Sequence, residues 1–172
     1  MLSLSHFTKE STLDFGADKG GQNWYSLVDG VMGGRSTGLV QIQENSLQLT
    51  GNISFENNGG FSSVRSPWGA IDLSKFKTIE IRLKAKGQQF AMVFETSRQW
   101  FQPNYKMPLS TDTEDWQVLI FNLADLEATR IGQPMGETIT DEQLKNIIRM
   151  GFISNLKKEG AFELEIDYIR FK

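Results

Sequence analysis

"FELEIDY", residues 162–168, alternates strictly, with Phe162, Leu164, Ile166 and Tyr168 on one side and Glu163, Glu165 and Asp167 on the other. A period of two with one apolar face marks a strand that lies on a core and turns its other face to water. Just beyond it, Ile169 and Phe171 fall on the opposite parity. A bulge at the switch, or burial of both faces, is expected there. "TIEIRLKA", 78–85, repeats the alternation with Ile79, Ile81, Leu83 and Ala85 against Glu80, Arg82 and Lys84.

The same reading extends along the chain. "FAMVFET" (90–96) and "WQVLIFNL" (116–123) are short and apolar on both parities, so both are expected as interior strands, with Trp116 in the core. "LVQIQENSLQLTG" (39–51) reads as two strands about a turn at Asn45, and "GGFSSVRS" (59–66) as another strand entered through an Asn-Asn-Gly-Gly turn. Gly87 marks a turn between two adjacent strands. Only "TDEQLKNIIRMG" (140–151) carries helix signals: Thr140 as cap, Gln143 three residues on, and Gly151 to end it. About eight or more short strands with turn residues between them predict an all-β, antiparallel jelly-roll β-sandwich with one short helix.

Composition narrows the function. A chain of 172 residues suits one domain, 1–172, and residues 1–12 are expected to be loosely ordered. A net charge of −3 gives no basic footprint for nucleic acid. With no cysteine there are no disulfides, thiolate nucleophiles or thiolate metal sites. His6 is the sole histidine, so a histidine metal cluster is excluded and a catalytic triad would have to use it. Acidic residues are plentiful, but no pair stands in a glycosidase-like motif and none has calcium-loop spacing. These features predict a protein that is not an enzyme and carries no metal or cofactor. The absence of a leader-like segment and of any long apolar run predicts a cytoplasmic chain that does not span a membrane.

"WYSLVDGVMGGRSTG", 24–38, is the densest run of special backbone. A P-loop ending at Gly34-Arg35-Ser36 would need glycine where Asp29 stands and lysine where Arg35 stands. A dinucleotide fingerprint through Gly30 and Gly33 would need glycine at Val28. A tight corner is therefore expected, with Gly30, Gly33, Gly34, Gly59 and Gly60 as turn residues and Asp29 bonding local backbone N–H groups. Arg35 and Arg65 each follow a Gly/Ser-rich patch, and Asn58 opens the second turn. Asp29, Arg35 and Arg65 can form a buried ion network or an exposed recognition site, and each alternative demands a partner for the charge.

"DGVMGGRSTG", "ENNGGFSSVRS" and "GFISN....GAFELEIDYI", in this order, resemble the complex I intermediate-associated protein family, from about Phe15 to Phe171. That family includes a mitochondrial assembly factor of NADH:ubiquinone oxidoreductase and smaller bacterial proteins, and this chain is similar to the bacterial type. The resemblance implies a galactose-binding-domain-like jelly roll, similar to non-catalytic carbohydrate-binding modules. It also implies a protein-binding, chaperone-like assembly factor whose partner is a respiratory-complex intermediate, and it supplies no catalytic residue.

A carbohydrate-binding module is the alternative. "TSRQWFQPNYKMP" (96–108) reads as a loop that clusters Trp100, Phe101 and Tyr105 with polar donors, as a sugar ring or a protein hot spot requires. The competing reading has the aromatics plugging the end of the sandwich. Trp68 and Trp24 are further exposed-loop candidates.

Overall fold

The computed structural model describes residues 10–172. Thirteen strands run through it: β1 (Ser11–Asp14), β2 (Tyr25–Val28), β3 (Thr37–Ile42), β4 (Leu47–Ile53), β5 (Ser62–Arg65), β6 (Thr78–Lys86), β7 (Phe90–Glu95), β8 (Asn104–Leu109), β9 (Gln117–Asn122), β10 (Glu127–Arg130), β11 (Gln133–Thr138), β12 (Arg149–Ser154) and β13 (Gly160–Phe171). One short helix, α1 (Asp141–Lys145), precedes β12. A six-stranded sheet runs β3-β4-β13-β6-β9, with β1 also on β13, and a seven-stranded sheet runs β11-β10-β8-β7-β12-β5-β2. The strand pairings are antiparallel, and the two sheets form a jelly-roll sandwich.

The alternation decides which side chains fill the space between the sheets. Ile79, Ile81 and Leu83 of β6 and Phe162, Leu164 and Ile166 of β13 join Phe90, Met92 and Phe94 of β7 and Met150 and Phe152 of β12 in one core. Each such side chain contributes about 1.5–3 kcal/mol by leaving water. The parity switch in β13 is a bulge, since its register with β6 shifts between Ile166 and Tyr168. Beyond it, Ile169 and Phe171 point inward and are buried. The bulge also divides one edge of β13: β4 pairs with the part up to Ile166, and β1 with the part from Tyr168.

The outer face of the six-stranded sheet neutralises itself. Arg82 pairs with Asp167 at 2.5 Å, Lys84 with Glu165 at 3.1 Å, and Arg170 and Lys172 with Glu80 at 3.2 and 2.7 Å.

Several sequence expectations need correction. β9 is an edge strand, not an interior one: its second apolar face, Val118 and Ile120, lies in solvent. Trp116, just before it, is only half-buried, with the Arg82 guanidinium 4.5 Å above its ring. Trp24 is not on an exposed loop but in the core, edge-on to Phe15 at 5.0 Å. Gly87 turns the chain from one sheet to the other rather than between paired neighbours. Thr140 and Gln143 form the expected capping box, but α1 ends at Lys145 with Asn146 as C-cap. Gly151 instead lies in β12, where a Cβ would come within 2.3 Å of the Val64 carbonyl. The loosely ordered segment expected over 1–12 falls mostly outside the described residues, as does His6, whereas Ser11 and Thr12 belong to β1.

Candidate functional site

The glycine-rich stretch folds around one carboxylate. Asp29 opens a 3₁₀ turn directly after β2 and is fully buried. Its Oδ1 accepts from the Ser36 N–H at 2.9 Å, and its Oδ2 from the N–H groups of Gly60 at 2.5 Å and Phe61 at 3.2 Å. Burial by itself would raise the Asp29 pKa, but hydrogen bonds from Ser36, Gly60 and Phe61 outweigh it and the carboxyl sits below its ordinary value. One side chain thus joins the turn after β2, the entry to β3 and the entry to β5.

The glycines follow from that geometry. A Cβ on Gly34 would lie 2.3 Å from Asp29 Oδ1, and one on Gly59 2.5 Å from Oδ2, so both backbones must approach bare. Gly33 and Gly60 hold φ of 86° and 144°. Gly30 has ordinary room, its nearest neighbour a Val28 methyl at 3.8 Å.

The two arginines do not meet Asp29. The carboxylate spends its oxygens on backbone N–H groups, so no ion network forms there. Arg35 points outward and pairs with Glu56 at 3.2 Å, both well exposed. Asn58 adopts φ 58° and, with Phe55, Gly59, Gly60, Phe61 and Lys157, lines a cavity of about 380 Å³ beside the corner. Val31 and Met32, on the 3₁₀ turn itself, are 71% and 68% exposed.

Arg65 belongs to a second cluster, on the outer face of the seven-stranded sheet. It is 6% exposed; its Nε donates to Ser63 Oγ at 3.1 Å and its Nη1 lies 3.5 Å from Glu95 Oε2. Arg149 grips Glu95 through both Nε and Nη2 and donates from Nη1 to the Tyr25 hydroxyl at 2.6 Å. The Arg149 guanidinium also stacks 3.8 Å over the Trp68 ring, which faces Arg98 at 4.9 Å as well. Burial lowers the Arg149 pKa, yet Glu95 and Tyr25 reverse this and the net shift is upward. Arg65, more deeply desolvated, is shifted down by burial and by Arg149, against the pull of Glu95.

Trp100 and Tyr105 are not brought together. Trp100 is 78% exposed and lies edge-on to Phe101 at 6.1 Å. Tyr105, on β8, turns into the core at 4% exposure. The signal was present: Tyr105, Met107 and Leu109 share one parity and Lys106 the other. Sequence reasoning missed Glu95, Lys106 and Arg149, each the polar, outward residue of its strand. Among the described residues no three of His, Cys, Asp or Glu converge on a metal site, and no helix is long and apolar enough to cross a membrane.

Two antiparallel sheets with an outward polar and aromatic face define a β-sandwich of the kind found in carbohydrate-binding modules. The chain is similar to the family 11 carbohydrate-binding module from Clostridium thermocellum solved with a beta-1,3-1,4-mixed-linked tetrasaccharide, at 19% identity over 94% of each chain and a TM-score of 0.68. It is also similar to the family 11 module of a cellulosomal cellulase of Clostridium thermocellum, at 18% identity over 96% of this chain and 95% of that one, with a TM-score of 0.67. At such identities the likeness is one of fold. No curated protein matches the chain. The profile of the complex I intermediate-associated protein 30 (CIA30) family matches residues 13–166, and the chain belongs to that family.

Proposed function

We propose that this chain is a non-catalytic, protein-binding assembly factor that engages an intermediate of a respiratory NADH dehydrogenase through the Asp29 corner. The observation that carries the reading is the exposure of Val31 and Met32 on a turn fixed by a buried carboxylate. Apolar side chains on pre-ordered backbone bind with little further entropy loss. Arg35 and Asn58 supply a polar rim, as protein interfaces have. Family membership supports the choice of partner. The test is complementation in source cells that lack the chain, comparing wild type with the Val31→Asp, Met32→Asp double variant. Wild type should restore the assembled NADH dehydrogenase on native gels, while the double variant folds with an unchanged melting temperature and fails to restore it. Normal assembly in the cells that lack the chain would sink the proposal.

A second reading rests on the exposure of Trp100. Its open face, with Arg98 and Gln99 exposed beside it, suits a sugar ring. Loss of glycan-array binding in Trp100→Ala would support it, and an array without any hit would reject it.

A further inference from the structure

The outer face of the seven-stranded sheet holds more positive charge than it neutralises. One cross-strand row runs Lys106–Val93–Gly151–Arg65 over β8, β7, β12 and β5. Neighbouring strands lie about 4.8 Å apart, so the two cationic residues start about 14 Å from each other at Cα. Arg65 lies across the row, because a Cβ on Gly151 would sit 2.7 Å from Arg65 Cδ. Extended lysine and arginine side chains each reach roughly 6–7 Å by bond lengths alone. Their heads can therefore meet over a floor of Gly151, which has no side chain, and Val93, whose side chain is short and apolar. Burial lowers the Lys106 pKa and the charge of Arg65 lowers it further, in keeping with that approach.

The donors there are not used up. Glu95 is the carboxylate at the centre of the cluster, and Arg149 holds it through two nitrogens. Among the described residues, Arg65 Nη2 and Lys106 Nζ have no hydrogen-bond acceptor, and Lys106 has no carboxylate within ion-pair distance. Glu127 is its cross-strand neighbour but is exposed and makes no ion pair with it. Residues 1–9, MLSLSHFTK, contain no acidic side chain that could supply the missing charge. Buried cations are retained in proteins when something pairs with them.

We propose that this face binds a small oxyanion-bearing ligand, its carboxylate or phosphate seated between Arg65 and Lys106 over the Val93–Gly151 floor, with Arg149 and Trp68 alongside. A fork of guanidinium N–H groups and an ammonium point charge are the two side-chain types that recognise such groups. The site shares no residue with the Asp29 corner and stands independently of the docking role proposed above.

The test is isothermal titration of the folded chain with inorganic phosphate, glucose 6-phosphate, glucuronate and neutral glucose at constant ionic strength, which keeps charge screening equal across the ligands. Wild type should bind at least one anion saturably at millimolar concentration or below and should ignore glucose. Preference for glucose 6-phosphate identifies a phosphate ester, and preference for glucuronate a carboxylated sugar. Lys106→Met should weaken that binding at least about tenfold, the loss of one charge-assisted hydrogen bond. The ligand-free Lys106→Met variant should melt at or above the wild-type temperature, because an unpaired, half-buried ammonium is removed. The proposal is overturned if no anion binds saturably, if glucose binds equally, or if the variant binds as tightly as wild type. A ligand-free variant that melts well below wild type also overturns it, by showing that the protein itself already satisfies Lys106.

Discussion

Replacing Asp29 with asparagine keeps the shape of the side chain and removes its charge. The oxygens of Asp29 face three backbone donors, Ser36 on one side and Gly60 and Phe61 on the other. Asparagine offers one oxygen. Its best placement turns that oxygen to Gly60 and Phe61 and sets its amide against the Ser36 N–H, donor to donor. One buried N–H then loses its acceptor, at about 1–3 kcal/mol, and two bonds lose their charge assistance, at roughly 0.5–1 kcal/mol each. The sum is about 3 kcal/mol, and at roughly 2–4 °C per kcal/mol for a domain of this size the melting temperature should fall by about 6–12 °C. Guanidinium unfolding followed by tryptophan fluorescence measures the gap. Its pH dependence has a definite sign. A depressed folded-state pKa gives stability that is complete above the ordinary Asp value of 3.8 and is lost as pH falls through the lower folded value. The gap between wild type and variant should stay flat from neutral pH down to the ordinary value of 3.8 and narrow as pH falls from there through the lower folded value. A gap under about 0.5 kcal/mol, or one that widens on acidification, would refute the picture of Asp29 as the clasp of the corner.

The glycines around that carboxylate should separate cleanly. Gly34→Ala and Gly59→Ala, each driven into an Asp29 oxygen, should cost about 1–3 kcal/mol in the same unfolding assay, while Gly30→Ala should stay within about 0.5 kcal/mol. Glu95→Gln leaves the buried Arg65 and Arg149 without their counter-charge and should cost about 3–5 kcal/mol. Glu56→Gln, which breaks only the exposed pair with Arg35, should cost less than about 0.5 kcal/mol, so the two charge removals together read out burial. Thr140→Ala removes the reciprocal cap of α1 and should lower stability by about 1 kcal/mol in thermal melts.

The sandwich was legible because one face of each long strand is apolar at period two. "TIEIRLKA" names its own inward residues and "FELEIDY" does so up to Ile166, but the bulge falls before Tyr168 rather than after it, so Tyr168, expected on the inward face, turns outward to Glu80. "WQVLIFNL" misleads because Val118 and Ile120 share the outer face of the sheet with Arg82 and Glu80, and no local signal states whether a further layer covers that face. The Asp29 corner was readable as a corner from its glycines. The destination of its hydrogen bonds was not, since Gly60 and Phe61 lie 31 and 32 residues away and only the fold brings them back. The cationic row was hidden for the same reason. Arg65, Lys106, Glu95 and Arg149 sit on four strands, each an unremarkable polar residue in an alternation, and inter-strand register alone makes them neighbours.

The bulged strand β13 carries a consequence for biosynthesis. It is the last strand of the chain, yet it stands between β4 and β6 and also holds β1, so three earlier strands wait for it. Until residues 160–171 have cleared the ribosome, β4 and β6 lack the strand that joins them, and their apolar faces have only half a sandwich to cover. Closing β1 against β13 links Ser11 to Phe171, nearly the longest loop the chain can form. Such distant pairing makes folding slow. Until residues 160–171 are made, β1, β4 and β6 lack this partner, and the yield of folded chain in the cell should depend on how quickly that strand is delivered.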